Sequence, residues 1–169
     1  MTEALAALGA RVEAHYAAVA RGAMADLPLL NRALGVRLLG LQPWEGMALG
    51  VLVTPWAINL MLLPGSGPWP DAAPLSKQVW QFPSGDYPFV NAGDAGFGPY
   101  QSCSLFSPVL EFESMEAACA TALAALLALL RPPMTLPEAL PEALPEDAAP
   151  AAEPSRRRWL LGRAREGGR

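Results

Sequence analysis

The sequence predicts an α+β domain: an antiparallel sheet covered by an N-terminal and a C-terminal helix on one face, followed by a disordered, Pro-rich C-terminal tail. Three observations predict it. Apolar residues recur at helical spacing at the start of the chain and fill a Gly- and Pro-free run up to Leu130. Between these two stretches, apolar residues come in short runs punctuated by Pro and Gly, the pattern of strands and turns. Beyond Arg131 the composition changes to repeated Pro, Glu and Ala.

The first helix is expected over about 3–22. Leu5, Leu8, Val12, Tyr16 and Val19 are three or four residues apart and share one face. Thr2 can cap its start and Gly22 its end, and the Ala filling favours helix. Residues 36–41 read as a strand and 43–46 as a turn. Met47–Val53 and 58–63 are continuous apolar runs. Pro55 in the connection denies one long helix, so they read as two buried strands. Pro64 to Pro68 ends the second, and 68–75 reads as loop. Residues 79–82 and 89–90 are short strands around the turn at Pro83, Ser84 and Gly85, 93–99 is a loop, and 101–106 a further strand. Ser114 can cap the last helix, expected over 115–131. Residues 117–130 are apolar almost all round, which predicts burial or the covering of a sheet.

Charge divides the chain. Twelve Lys and Arg face 16 Asp and Glu, a formal net charge of −4. Residues 1–131 hold six basic groups (Arg11, Arg21, Arg32, Arg37, Lys77 and Arg131) against ten acids. Residues 132–154 hold no basic group and five acids: Glu138, Glu142, Glu146, Asp147 and Glu153. Residues 155–169 hold six Arg and one acid, Glu166. Pro132 and Pro133 stop the preceding helix. In the LPEA repeat that follows, Pro recurs every fourth residue, which excludes a helix and a central strand. The expected organisation is a folded domain over 1–131, a Pro/Glu/Ala-rich disordered linker over 132–154 and an Arg-rich tail over 155–169.

These numbers also exclude function classes. Hydrophobic residues are 52% and charged residues 17%, too apolar for a wholly disordered chain. A globally acidic chain is a poor general nucleic-acid binder. Two Cys and one His cannot complete a four-ligand zinc site without carboxylates, nor build a disulfide scaffold. Glu3 stands where a secretory signal would be basic. The longest apolar stretch, 47–63, is interrupted by Thr54, Pro55 and Asn59 and is too short for a membrane span. A soluble cytoplasmic protein is expected, with no stable membrane insertion and no nucleic-acid partner.

Catalytic chemistry finds little support. His15 is the only imidazole and reads as a helix-surface or packing residue. No G-x-S-x-G, Walker loop, G-x-G-x-x-G or H-E-x-x-H occurs. Cys103 and Cys119 read as small buried hydrophobes. Cys103, between Ser102 and Ser104, is the one with a second reading, as a reactive thiol. Trp44, Trp56, Trp69 and Trp80 fall at strand ends or in loops, either as core caps or as a recognition surface.

Three blocks carry a family resemblance. Residues 46–67 read GMALGVLVTPWAINLMLLPGSG, residues 80–85 read WQFPSG, and residues 100–112 read YQSCSLFSPVLEF. In this order they resemble the [NiFe]-hydrogenase assembly chaperone family of the HybE type, over about residues 10–131. The resemblance implies a non-enzymatic maturation factor without a cofactor. It implies as client the small, iron–sulfur subunit precursor with its twin-arginine signal, and the large subunit as a second partner. Some related proteins carry a rubredoxin domain with paired C-x-x-C motifs. Nothing here matches it, so no iron site is carried over. Trp56, Asn59, Trp80, Phe82, Pro83, Cys103 and Phe106 fall in the matching blocks and are candidates for shaping the fold or the client surface. The alternative reading is a thiol-dependent accessory factor that protects or assembles an iron–sulfur centre through Cys103. Outside the resemblance, residues 155–161 read SRRRWLL against the S-R-R-x-F-L-K of a twin-arginine signal. Arg156, Arg157, Trp159 and Leu160 are therefore candidates for a signal mimic, with a solvated end or an anionic lipid-surface binder as the blander alternatives.

Overall fold

Nearly continuous apolar runs in two neighbouring strands, broken only by Asn59, dictate the architecture. The computed structural model describes residues 2–133. The linker beyond residue 133 and the candidates Arg156, Arg157, Trp159 and Leu160 lie outside the described residues. The chain divides into two units, Met1–Met134 and Thr135–Arg169. The first contains α1 (Thr2–Arg21), β1 (Arg37–Trp44), β2 (Met47–Val53), β3 (Ile58–Pro64), β4 (Lys77–Phe82), β5 (Gly85–Asp94), β6 (Gly98–Phe106) and α2 (Met115–Leu129). The strands form one antiparallel sheet in the order β1-β2-β3-β6-β5-β4. Two three-stranded meanders are thus joined through β3 and β6, with β1 and β4 as edges.

The helices lie on opposite faces of this sheet, which corrects the expectation of a single covered face. Leu49, Val51 and Val53 of β2 pack with Ala118, Ala122, Leu126 and Leu129 of α2. Their alternates, Ala48 and Leu52, pack with Val12 of α1. Side chains alternate across a strand, and β2 is buried at all seven positions. Both faces must therefore be covered, and a helix on one side cannot do it.

The sheet also curls. Five strand spacings would hold the edges of a flat sheet roughly 24 Å apart. Yet Trp44 at the end of β1 stacks on Phe82 at the end of β4, with ring centroids 4.4 Å apart and planes at 16°. Trp44 also meets Trp80 edge-on at 5.7 Å. A bulge between Leu39 and Gln42 makes this possible. One extra residue resets the alternation, so Leu39 and Trp44 both face α2 while Leu38 and Leu41 face α1. The first core is therefore the inside of a curled sheet, closed by α2. Ser84 in the β4–β5 turn donates its amide to Leu129 O at 3.3 Å and fastens the C-terminal end of α2 there.

Several strands run longer than the local pattern suggests. β1 extends through Pro43 to Trp44 because an edge strand tolerates a missing donor. The turn shrinks to Glu45 and Gly46, both at positive φ (47° and 79°) as a tight two-residue hairpin needs. β5 runs from Gly85 through Pro88, since that half of the strand pairs only with β4, and β6 joins from Val90 onward. Gly67 donates to Gly46 O at 2.7 Å, and a Cβ on Gly65 would collide with the Gly46 and Met47 backbone. The Gly-Ser-Gly after β3 is thus required for the two turns to touch. On the edge strand β1, the Leu38 amide donates to the Glu13 carboxylate of α1 at 2.7 Å.

Candidate functional site

The β2–β3 connection is built by its own side chains. Thr54 is buried. Its hydroxyl donates to Ala57 O at 2.8 Å and accepts the Ala57 amide at 3.0 Å, while its own amide donates to Ala57 O at 2.9 Å. This closes the loop and turns the Pro55 carbonyl outward, where it accepts the Asn31 amide at 2.8 Å. The Asn31 side chain then donates to Val109 O at 2.9 Å and Phe112 O at 2.7 Å, and accepts from Ala33 N at 2.9 Å. One buried residue therefore clips together three segments: from the α1–β1 loop its backbone amide holds the β2–β3 hairpin and its side-chain amide holds the β6–α2 loop. Nothing in the local pattern marked Asn31.

Around this clip several leucines are exposed, with Arg32 exposed beside them. Leu29, two residues before Asn31, is 57% exposed, and Leu110, next to Val109, is 52% exposed. Leu27 is exposed as well. Glu111 and Glu113 follow Leu110 and are exposed, and among the described residues the only ion pair lies elsewhere. Exposed leucines held on a hydrogen-bonded frame beside unpaired carboxylates suit a segment that is apolar in one part and cationic in another.

Trp56 leaves the same hairpin toward α1 and lies 6.5 Å from the Tyr16 ring. Tyr16 continues into a cluster with Phe97 and His15, and Phe97 meets Tyr100 at 5.2 Å. His15 Nε2 lies 3.1 Å from Asp94 Oδ2. The Asp94 Oδ1 atom accepts the Gly96 amide at 2.6 Å, and Arg11 donates to Gly96 O at 2.9 Å. The β5–β6 turn is thereby tied to α1. Burial, aided by the adjacent Tyr100, holds the Tyr16 hydroxyl far above the ordinary tyrosine range. Asn59 points to the α1 side of β3, and its Oδ1 is buried without a hydrogen-bond partner.

The remaining candidates gather inside the curled sheet. Phe82 is buried, and Trp80, Cys103 and Phe106 pack against the same core. Phe106 meets Phe112 edge-on at 5.6 Å. Pro83 is exposed at the β4–β5 turn. The Trp80 indole donates to Gln101 Oε1 at 2.6 Å. Gln101 Nε2 donates to Asn91 Oδ1 at 2.8 Å and to Gln78 Oε1 at 3.1 Å, and Asn91 Nδ2 reaches Ser76. Sequence reasoning missed this network. Its signal was available: Gln101 shares its face with Cys103 and Leu105, a polar residue at an apolar alternation position. The candidates therefore separate by position. Trp80, Phe82, Cys103 and Phe106 shape the core on the α2 side, Asn59 lies under the α1 side with its oxygen buried, Trp56 is partly exposed and Pro83 is exposed.

Burial pushes the Cys103 thiol up, and that of Cys119 too, with Arg37 pulling Cys119 partly back. A raised thiol carries less thiolate at neutral pH, which is the reverse of what a reactive cysteine needs. Among the described residues no three His, Cys, Asp or Glu side chains cluster to hold a metal ion, and no helix is long and apolar enough to cross a membrane.

Comparison with known proteins places these features in a family. The family described as [NiFe]-hydrogenase assembly, chaperone, HybE matches residues 7–162. Protein HoxT of Cupriavidus necator is 40% identical over 127 residues, which span 68% of this chain and 71% of that protein. The hydrogenase expression/formation protein HupJ of Bradyrhizobium diazoefficiens is 40% identical over 111 residues, 66% of this chain and 64% of that protein. The solution structure of HybE from Escherichia coli superimposes with a TM-score of 0.63 at 28% identity, covering 85% of this chain and 91% of that one.

Proposed function

The chain belongs to the [NiFe]-hydrogenase assembly chaperone family of the HybE type, and from that premise we propose that it binds a hydrogenase subunit precursor and holds it until assembly is complete. The client is the small iron–sulfur subunit precursor with its twin-arginine signal, met in the cytoplasm, and the large subunit docks before release. The chain acts by binding and not by turnover.

The observation that carries this reading is the clipped end of the domain. Leu29 and Leu110 are exposed on a frame fixed by Asn31, with Glu111 and Glu113 beside them. A signal segment is cationic and then apolar, so both parts find a complement there. Such a holding complex must also let go. A dissociation constant near the micromolar range, about −8 kcal/mol, meets both needs, and a few well-placed apolar anchors supply most of it.

The test is recovery of the tagged chain from cells that produce the hydrogenase, with identification of what accompanies it. The precursor small subunit should be captured, and capture should fall at least about tenfold in Leu29→Glu with Leu110→Glu, the cost expected when two central anchors are lost. Recovery of the large subunit alone, or of neither, would overturn the assignment of the client.

A further inference from the structure

α2 carries an apolar face that the fold leaves uncovered. Ala118, Ala122, Leu126 and Leu129 enter the curled sheet. On the opposite side Ala117, Ala120, Ala124 and Ala128 are exposed, together with Leu127 at 50%, and Leu123, 38% exposed, flanks this stripe where its side chain passes over Gly40 of β1. A helix on the surface of a domain ordinarily turns polar residues outward. Here no charged side chain interrupts the outer stripe between Glu116 at one end and Arg131 at the other. Arg131 lies just past the C-cap Leu130 and stays beside the last turn, its amide donating to Ala128 O at 3.2 Å. Both end charges are exposed, and neither has an ion-pair partner among the described residues.

We infer that this face docks a second copy of the chain, α2 against α2, antiparallel about a two-fold axis. The stripe is complementary to itself in that orientation and in no parallel one. With the axis between Leu123 and Ala124, Glu116 meets Arg131 of the partner subunit, and each helix offers its unlike charge at both ends. Leu127 meets Ala120 of the partner subunit, and Leu123 meets Ala124 of the partner subunit, so large side chains fall on small ones. Antiparallel helix dipoles add to the attraction. A cationic client segment fits this face less well, because Arg131 would repel it at one end. A single helix face makes a small interface, so the dimer should dissociate at about 10–100 µM.

Sedimentation velocity of the full chain over a dilution series tests this. The expected result is a reversible dimer that Glu116→Arg alone, or Arg131→Glu alone, weakens about tenfold, while the two together restore it, since the swapped charges again meet. Leu127→Glu should give a monomer with an unchanged circular dichroism spectrum. A monomer at every concentration overturns the inference, and so does a dimer indifferent to the charge reversals. A photo-crosslinker at position 124 identifies the occupant in the same samples. Cross-links to α2 of a second copy support the seam. Cross-links confined to the chain's own residues beyond 133, or to hydrogenase precursor alone, overturn it.

Discussion

Gln101 has no exposed surface, yet it forms three hydrogen bonds, to Trp80, Asn91 and Gln78. Replacing it with Leu preserves volume but orphans the indole donor and the Asn91 oxygen. Unpaired buried polar groups are the expensive kind. Gln101→Leu should therefore lower stability by about 2–3 kcal/mol in urea unfolding. Asn59 predicts the opposite sign. Its buried Oδ1 has no partner to lose, and it sits in a strand, where β-branched residues are favoured. Asn59→Val should leave stability unchanged or raise it by up to about 1 kcal/mol. If the residue is retained for client contact, the same variant captures less precursor at that undiminished stability. A fall in both stability and capture would instead assign Asn59 to the fold.

At the scale of elements, the tie between the α1–β1 loop and the β6–α2 loop depends on the side-chain amide of Asn31. Val109 O and Phe112 O both accept from its Nδ2, so a carboxylate of equal size cannot substitute, lacking the donors. Asn31→Ala and Asn31→Asp should each cost about 2–3 kcal/mol, and hydrogen exchange should rise first around residues 29–33 and 109–113. This clip lies outside what periodicity reveals, because it joins segments about 80 residues apart in sequence. The elements themselves were largely visible. The central runs of β2 and β3, the Pro55 break between them, and Ser114 capping α2 by accepting the Ala117 amide at 3.1 Å are local facts with local causes. Strand lengths were less visible. Pro43 reads as part of a turn until the sheet order puts it on an edge strand, where a missing amide is tolerated.

At the scale of the whole molecule, α1 and the curled sheet bury Tyr16, and that burial has a pH signature. Burial raises the folded-state Tyr16 pKa, so the unfolded chain releases this proton first. The contribution is complete below the ordinary tyrosine value of about 10 and is lost as pH rises above it. The raised Cys103 and Cys119 act in the same direction from about pH 8.5. Stability should therefore fall on the alkaline side, and Tyr16→Phe should make the fall above about pH 10 shallower. An equal or steeper fall in thermal melts would show that Tyr16 is not responsible.

From the amino-acid order alone came the element types, the α+β class, the place where the apolar body gives way to Pro-rich chain, and the three blocks that resemble a hydrogenase chaperone. These rest on spacing, turn residues and local capping, which act over a few residues. The sides on which the helices lie, the meeting of Trp44 with Phe82, the burial of Gln101 and the exposure of Leu123 and Leu127 came from the folded molecule. A continuous apolar strand demands cover on both faces without naming what covers them, and an all-round apolar helix has no preferred inner side. Long-range packing chose between those alternatives. In doing so it buried one stripe of α2 and left the other facing outward.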